Sequence, residues 1–242
     1  MRVRAVLFDL DDTLFDHHAC AHAALAAVHG LHSCFRDIPL EDFQREHARL
    51  LEELHAEVLG GRLGIDAARV ERFRRLFEHA GISADEAMTQ RTAASYRERY
   101  VSARQAIAGA ASLLPEVRRR ARVGIVSNNL LEEQRDKLRH CGLDPHIDAL
   151  VVSEEAGVSK PDPRIFEIAL ERLGVRAEEA VMLGDSWAAD IVGARAAGIR
   201  PIWFNRHRHA QPEATNVAVA EVHALEPPEP VLAALFGAGT SP

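Results

Sequence analysis

The stretch that decides the fold is AVLFDLDDTLFD, from Ala5 to Asp16. Five of the six residues from Ala5 to Leu10 are apolar, which reads as a buried strand. The run then closes on three acids, Asp9, Asp11 and Asp12. Crowded carboxylates repel one another, and each costs more as it is desolvated. Alternation along an extended chain points residues 9 and 11 to the same side, so those two acids are disposed as a pair.

Outward from this strand, four more apolar runs end on polar residues: RVGIVSNN (122–129), DALVVSEE (148–155), EAVMLGDS (179–186) and RPIWFN (200–205). Helical patterns separate the later ones, the alternation expected of a parallel sheet covered on both faces. In KPDPRIFEIALERLG (160–174), Asp162 caps a helix, Pro163 opens it and Gly174 stops it. In GDSWAADIVGARAAGI, Ser186 is the expected cap and Gly198 the stop. From about 16 to 100 there is no strand-like run; about four helices are expected, one opened by Ser83 and Glu86 in capping-box register. LGGRLG at 59–64 is the sharp break among them, and a last helix near 228–236 precedes a loose tail, GAGTSP. The expected fold is α/β, a Rossmann-like doubly wound parallel sheet formed by 1–15 and 101–242, with 16–100 inserted as a helical domain.

Composition narrows the function. A formal net charge of −7 argues against a nucleic acid polymer as partner, because phosphate-backbone binding needs clustered Lys and Arg. No apolar run approaches a membrane span, and the N-terminus does not read as a secretory signal. Cys20, Cys34 and Cys141 are too scattered for a disulfide framework or a zinc site, so a cytoplasmic setting is expected. The early histidines His17, His18, His22, His29 and His32 read as solvated helix positions, without metal-spaced Cys or acid beside them.

Ligands of open parallel sheets bind beyond the carboxyl ends of the strands. There the sequence delivers Asp9, Asp11, Ser127 with Asn128, and Asp185, with Lys160 in a loop ahead of a capped helix. Singly, each has a plainer reading: a turn at Asp11-Asp12-Thr13, a cap among Ser127, Asn128 and Asn129, a solvated Lys160, caps at Asp185 and Asp190. Together, at strand ends, they describe hydrolysis of a phosphate monoester. Mg²⁺ makes clustered carboxylates tolerable and neutralises phosphate charge. One carboxylate can attack phosphorus, and an acid two residues on can protonate the leaving alkoxide and then deprotonate water. Ser127 can donate to a phosphoryl oxygen, and Lys160 can offset its charge.

FDLDDTLFD resembles the first motif of the haloacid dehalogenase superfamily, VGIVSNN its second, SKPDP its third and VMLGDSWAAD its fourth, in family order from residue 3 to about 205. The insertion after the first motif resembles the helical C1-type cap. The resemblance implies Asp9 as nucleophile and metal ligand, and Asp11 as acid/base that also ligates Mg²⁺ through its carbonyl. It implies Ser127 and Asn128 as phosphoryl-binding residues, Lys160 as stabiliser, Asp185 as the third metal ligand and Asp190 in a supporting role. True dehalogenases of that superfamily lack an acid at the position of Asp11 and need no Mg²⁺, so dehalogenation is disfavoured. DTLFDHHACAHAAL, GGRLGIDAARVERFRRLFEHAGI and GIRPIWFNR resemble the branch of pyrimidine 5′-nucleotidases and N-acylneuraminate 9-phosphatases, so the expected partner is a small-molecule phosphate ester, a nucleotide or sugar phosphate. Three alternatives stay open: a phosphotransferase or phosphomutase of this fold, a phospho-accepting signalling receiver, and a non-catalytic binding protein. Monomer or homodimer is the expected assembly. The LGGRLG loop and the helix starting near His17 are expected to read the substrate, with Arg62 as the candidate contact for an anionic group.

Overall fold

A computed structural model describes residues 2–212 and 219–237. The chain divides into two compact units: His17–Arg104, and the chain up to Asp16 joined to the chain from Gln105 onward. The division falls after Asp16 and Arg104 rather than after 15 and 100. The last helix of the insertion runs to Ser102, and the Asp16 N–H is bonded to the Gln105 carbonyl at 3.0 Å.

The sheet unit opens with β1 (Ala5–Phe8), fully buried. The helical unit that follows contains α1 (His17–Leu31), a single turn α2 (Ser33–Arg36), α3 (Leu40–Leu59), α4 (Ile65–His79) and α5 (Glu86–Ser102). The chain then returns to the sheet unit as α6 (Ala110–Arg118), β2 (Arg122–Ser127), α7 (Leu131–His140), β3 (Ala149–Val152), α8 (Ser153–Ala156), α9 (Pro163–Leu173), β4 (Ala180–Gly184), α10 (Val192–Ala196), β5 (Arg200–Phe204), β6 (Ala220–Val222) and α11 (Pro228–Phe236). A π-helical turn, Trp187–Ile191, leads into α10. The strand order is β3-β2-β1-β4-β5-β6, and every pairing is parallel. The chain winds outward from β1 in one direction through β3 and resumes on the other side at β4. This is the doubly wound α/β arrangement, with β1 central. A core of Leu7, Val126, Val151, Ile165, Phe166, Leu173 and Met182 packs α9 against the sheet.

Several local expectations hold. Asp162 accepts from the Arg164 N–H at 2.9 Å with Pro163 opening α9. Ser186 accepts from the Ala189 N–H at 3.2 Å, and Gly174 and Gly198 take positive φ. Others are corrected. The cap of α5 is Asp85, whose carboxylate accepts from the Met88 N–H at 2.6 Å; Ser83 lies outside the helix and Glu86 is its first residue. None of Ser127, Asn128 and Asn129 is the N-cap of α7, which is Leu130; Asn129 Oδ1 instead accepts the Leu130 N–H at 2.9 Å. Five helices, not four, fill the insertion. Of the early histidines only His18 and His22 are exposed. His17 pairs with the Tyr100 hydroxyl at 2.7 Å, His29 with the Ile38 carbonyl at 2.8 Å and His32 with the Thr92 hydroxyl at 2.9 Å. β6 was not expected, and beyond Gly237 the loose tail lies outside the described residues. In the helical unit, Phe35 stacks on Phe77 and tilts against Phe43, both with centroids 4.7 Å apart. No helix among the described residues is long and apolar enough to cross a membrane.

Candidate active site

Asp9 follows β1 directly, and its N–H still bonds the Leu183 carbonyl of β4 at 3.0 Å, so the acid stands at the strand's carboxyl end. Asp185 follows β4 in the same way, Ser127 ends β2, and Asp190 lies in the turn Trp187–Ile191. β1 lies between β2 and β4, so three neighbouring strands deliver these groups to one crevice. The chain order reverses between β1 and β4, the place where open α/β sheets bind ligands.

One oxygen each from Asp9, Asp185 and Asp190 falls within 4.8 Å of the others. The Lys160 ammonium donates to Asp9 Oδ1 at 2.5 Å and to Asp190 Oδ1 at 2.7 Å. Asp9 and Lys160 are each 6 % exposed, and Asp190 is sealed from solvent. The balance is three carboxylates against one ammonium. Burial pushes the Asp9 carboxyl well above its ordinary range; Lys160 opposes that, and Asp190 and Asp185 add to it. Asp185 is pushed up to about 7, by burial first and then by Asp190 and Asp12. Burial alone would lower the Lys160 ammonium, but Asp190 and Asp9 outweigh it and the net shift is upward.

Backbone and hydroxyl groups fix this cluster. The buried Thr13 hydroxyl donates to Asp185 Oδ1 and accepts the Asp185 N–H, both at 3.1 Å. Asp12 adopts a left-handed φ of 60°, the bend that carries the chain from Asp11 back to Thr13. Asp190 Oδ2 accepts the Ser186 N–H at 3.0 Å. Gly184 makes that approach possible: a Cβ there would sit 2.3 Å from Asp190 Oδ2.

Asp11 belongs to a second, adjoining network. Its Oδ1 accepts from the Lys137 ammonium at 2.5 Å, and its Oδ2 from Gln134 at 2.9 Å and Asn129 at 3.2 Å. Gln134 also donates to the Ser127 hydroxyl at 2.6 Å, linking the acid to the second motif. Lys137 is 3 % exposed and lies 5.1 Å from the Phe15 ring centroid. Asn128 does not project a free amide. Its Oδ1 accepts the Lys160 N–H at 2.7 Å and its Nδ2 donates to the Lys160 carbonyl at 2.9 Å, clamping the lysine's main chain.

The sequence reading missed Thr13, Asn129, Gln134 and Lys137 as parts of this assembly. Gln134 and Lys137 stand three apart on α7, the spacing of one helix face, but within LEEQRDKLRH they look like solvated residues. Arg62 is exposed in the turn between α3 and α4.

The family model for haloacid dehalogenase-like hydrolase matches residues 3–198. The chain is 34% identical to the phosphoserine phosphatase of Thermus thermophilus, over 88% of this chain and 93% of that one. It is 31% identical to the pyrimidine 5′-nucleotidase YjjG of Escherichia coli, over 91% of this chain and 95% of that one. Among solved structures, the HAD-hydrolase YfnB of Bacillus subtilis, crystallised bound to magnesium, superposes with a TM-score of 0.74 at 28% identity, covering 96% of this chain and 99% of that chain. Haloacid dehalogenases are also among the solved structures of similar fold.

Proposed function

This chain belongs to the haloacid dehalogenase-like hydrolases, and we propose that within them it is a Mg²⁺-dependent phosphomonoesterase that works through an aspartyl phosphate on Asp9. The observation that carries the reading is the convergence of Asp9, Asp185 and Asp190 within 4.8 Å around a single ammonium. That surplus of buried negative charge, all on hard oxygen donors, fits a divalent cation of the Mg²⁺ type. The Asp9 and Asp185 carboxylates and the Asp11 carbonyl would hold it, with Asp190 supporting them through Lys160 and the Ser186 N–H. Bound there, Mg²⁺ would neutralise phosphoryl charge that otherwise repels an anionic nucleophile.

In the first step an Asp9 carboxylate oxygen bonds to phosphorus while the ester P–O bond breaks, and the departing alkoxide takes a proton from Asp11. In the second, Asp11 takes a proton from water, the water oxygen bonds to phosphorus, and the Asp9–phosphorus bond breaks to release phosphate. Lys160, the Ser127 hydroxyl and the Asn128 N–H would stabilise the phosphoryl oxygens. The Asn128 side chain instead positions Lys160. An acid at position 11, held by three donors, supports phosphate-ester hydrolysis over dehalogenation.

The substrate is read as a small phosphorylated metabolite, a nucleotide or sugar phosphate favoured, and residues 17–104 as the cap that selects it. The three thiols Cys20, Cys34 and Cys141 fit a reducing cytoplasm. The test is hydrolysis of an aryl phosphate by the purified chain: dependent on Mg²⁺, lost in EDTA, and abolished by Asp9→Asn with an unchanged circular dichroism spectrum. Normal turnover by that variant would overturn the covalent route.

A further inference from the structure

The helical unit holds a buried cation that the proposed chemistry does not use. Arg72, on α4, is 8 % exposed. Its guanidinium carbon stands 5.2 Å from the Tyr96 ring centroid and 5.7 Å from that of Phe73. Its Nε is buried without a hydrogen-bond partner, and no carboxylate pairs with the guanidinium among the described residues. The unit is not short of acids. Arg45, Arg49, Arg69, Arg74 and Arg75, all more exposed, each pair with an Asp or Glu. Arg72 is more removed from water than any of these five and has no such pair among the described residues.

A buried guanidinium without an anion is costly, and the faces of two rings offset only part of that cost. His47, on α3, shares the same surroundings. Its ring lies 5.0 Å from Tyr96 and 6.0 Å from Phe73, centroid to centroid, and its Nε2 is also buried without a partner. Burial first, then the charge of Arg72, holds His47 well below its ordinary range, so it is neutral and able to turn one N–H to a ligand. A planar fork of donors beside an imidazole suits a carboxylate or a phosphate, groups a guanidinium engages in bidentate fashion.

We propose that Arg72, seated on Tyr96 and Phe73 beside His47, forms a site within the helical unit for an oxyanion, a carboxylate or a phosphate. The site does not rest on the phosphatase reading above. Malonate serves as the carboxylate probe and methylphosphonate as the phosphate probe. Each is titrated into the full chain while the ¹H–¹³C signal of the His47 ring, assigned with His47→Gln, is followed. At least one probe shifts that signal saturably. Its dissociation constant rises at least tenfold in Arg72→Met and less in Arg72→Lys, and the tighter probe identifies the group. The absence of a saturable shift in the wild type overturns the site, as does a shift unaltered by Arg72→Met. Should Arg72→Met not fold, constants in Arg72→Lys equal to wild type overturn it. Saturable binding in a chain that hydrolyses no phosphate ester upholds the anion site and removes the phosphatase reading instead.

Discussion

Asp185 is the group through which the charge balance of the crevice is most directly measured. In the unfolded chain it loses its proton near the ordinary 3.8, whereas in the folded, cation-free chain it keeps that proton up to about 7. Between those limits the folded state binds a proton that the unfolded state lacks. The stability of the cation-free protein therefore falls as pH rises from about 4 to about 7, and levels off above. Roughly three pH units at ~1.36 kcal/mol each make the loss on the order of 4 kcal/mol. At about 2–4 °C per kcal/mol for a chain of this size, the EDTA-treated protein drops by on the order of 10 °C in Tm across that window. Asp185→Asn removes the titrating group but keeps an oxygen for Thr13, so its Tm declines less than that of the wild type, Asp9 still titrating in both. Asp9, whose carboxyl Asp185 also pushes up, titrates less upward in the variant, so the difference reports the two acids together. Mg²⁺ competes with the proton, so it raises the wild-type Tm more at pH 7.5 than at pH 5 and has little effect on the variant. Differential scanning calorimetry at four pH values, with and without Mg²⁺, reads all of this. A wild-type minus variant difference that does not change with pH in EDTA, or an equal Mg²⁺ effect at both pH values, would refute the assignment of excess negative charge to this cluster.

Gly184→Ala places a Cβ 2.3 Å from Asp190 Oδ2; a loss of about 1–3 kcal/mol in urea unfolding is expected, and a neutral result would show that the turn at Ser186 relaxes. Lys160→Met leaves Asp9 and Asp190 buried without their ammonium and should destabilise the cation-free chain by about 3–5 kcal/mol, less with Mg²⁺ present; denaturant curves under both conditions check it. Lys137→Met frees one oxygen of Asp11. It should lower kcat for alkyl phosphates by about 10–100-fold and for aryl phosphates by much less, since an aryl oxide leaves without a proton. Equal losses on both ester types would assign Lys137 to packing alone.

The parts of the fold that rest on local apolar runs were legible. β1 to β5 are uninterrupted hydrophobic stretches, and Asp9 and Asp185 were found because acids at the ends of such strands are conspicuous. The second network was not. Gln134 and Lys137 sit on a helix so polar that its inward face carries no hydrophobic signal, and their partner Asp11 is more than a hundred positions away. The Asn128 clamp on Lys160 spans 32 residues and has no period to detect. β6 is a three-residue edge strand, below the length at which alternation can be read. Ser83 and Asp85 are both good caps two positions apart, and only the backbone distinguishes them. Arg72 reads like Arg69, Arg74 and Arg75 in sequence; burial alone sets it apart.

The chain leaves the sheet unit at Asp16 and re-enters it at Gln105, and these two positions are joined by a backbone hydrogen bond, with the Ile107 N–H on the Leu14 carbonyl beside it. The excursion therefore begins and ends at one point. Closing a loop there costs only about 0.6 kcal/mol more for each doubling of its length. The segment between can lengthen, shorten or be exchanged for a different one while the acids of β1 and β4 keep their register. On the proposed function, the fold thus separates inheritance of the substrate from inheritance of the reaction: the first can drift through the inserted segment while the second stays fixed at the ends of the strands.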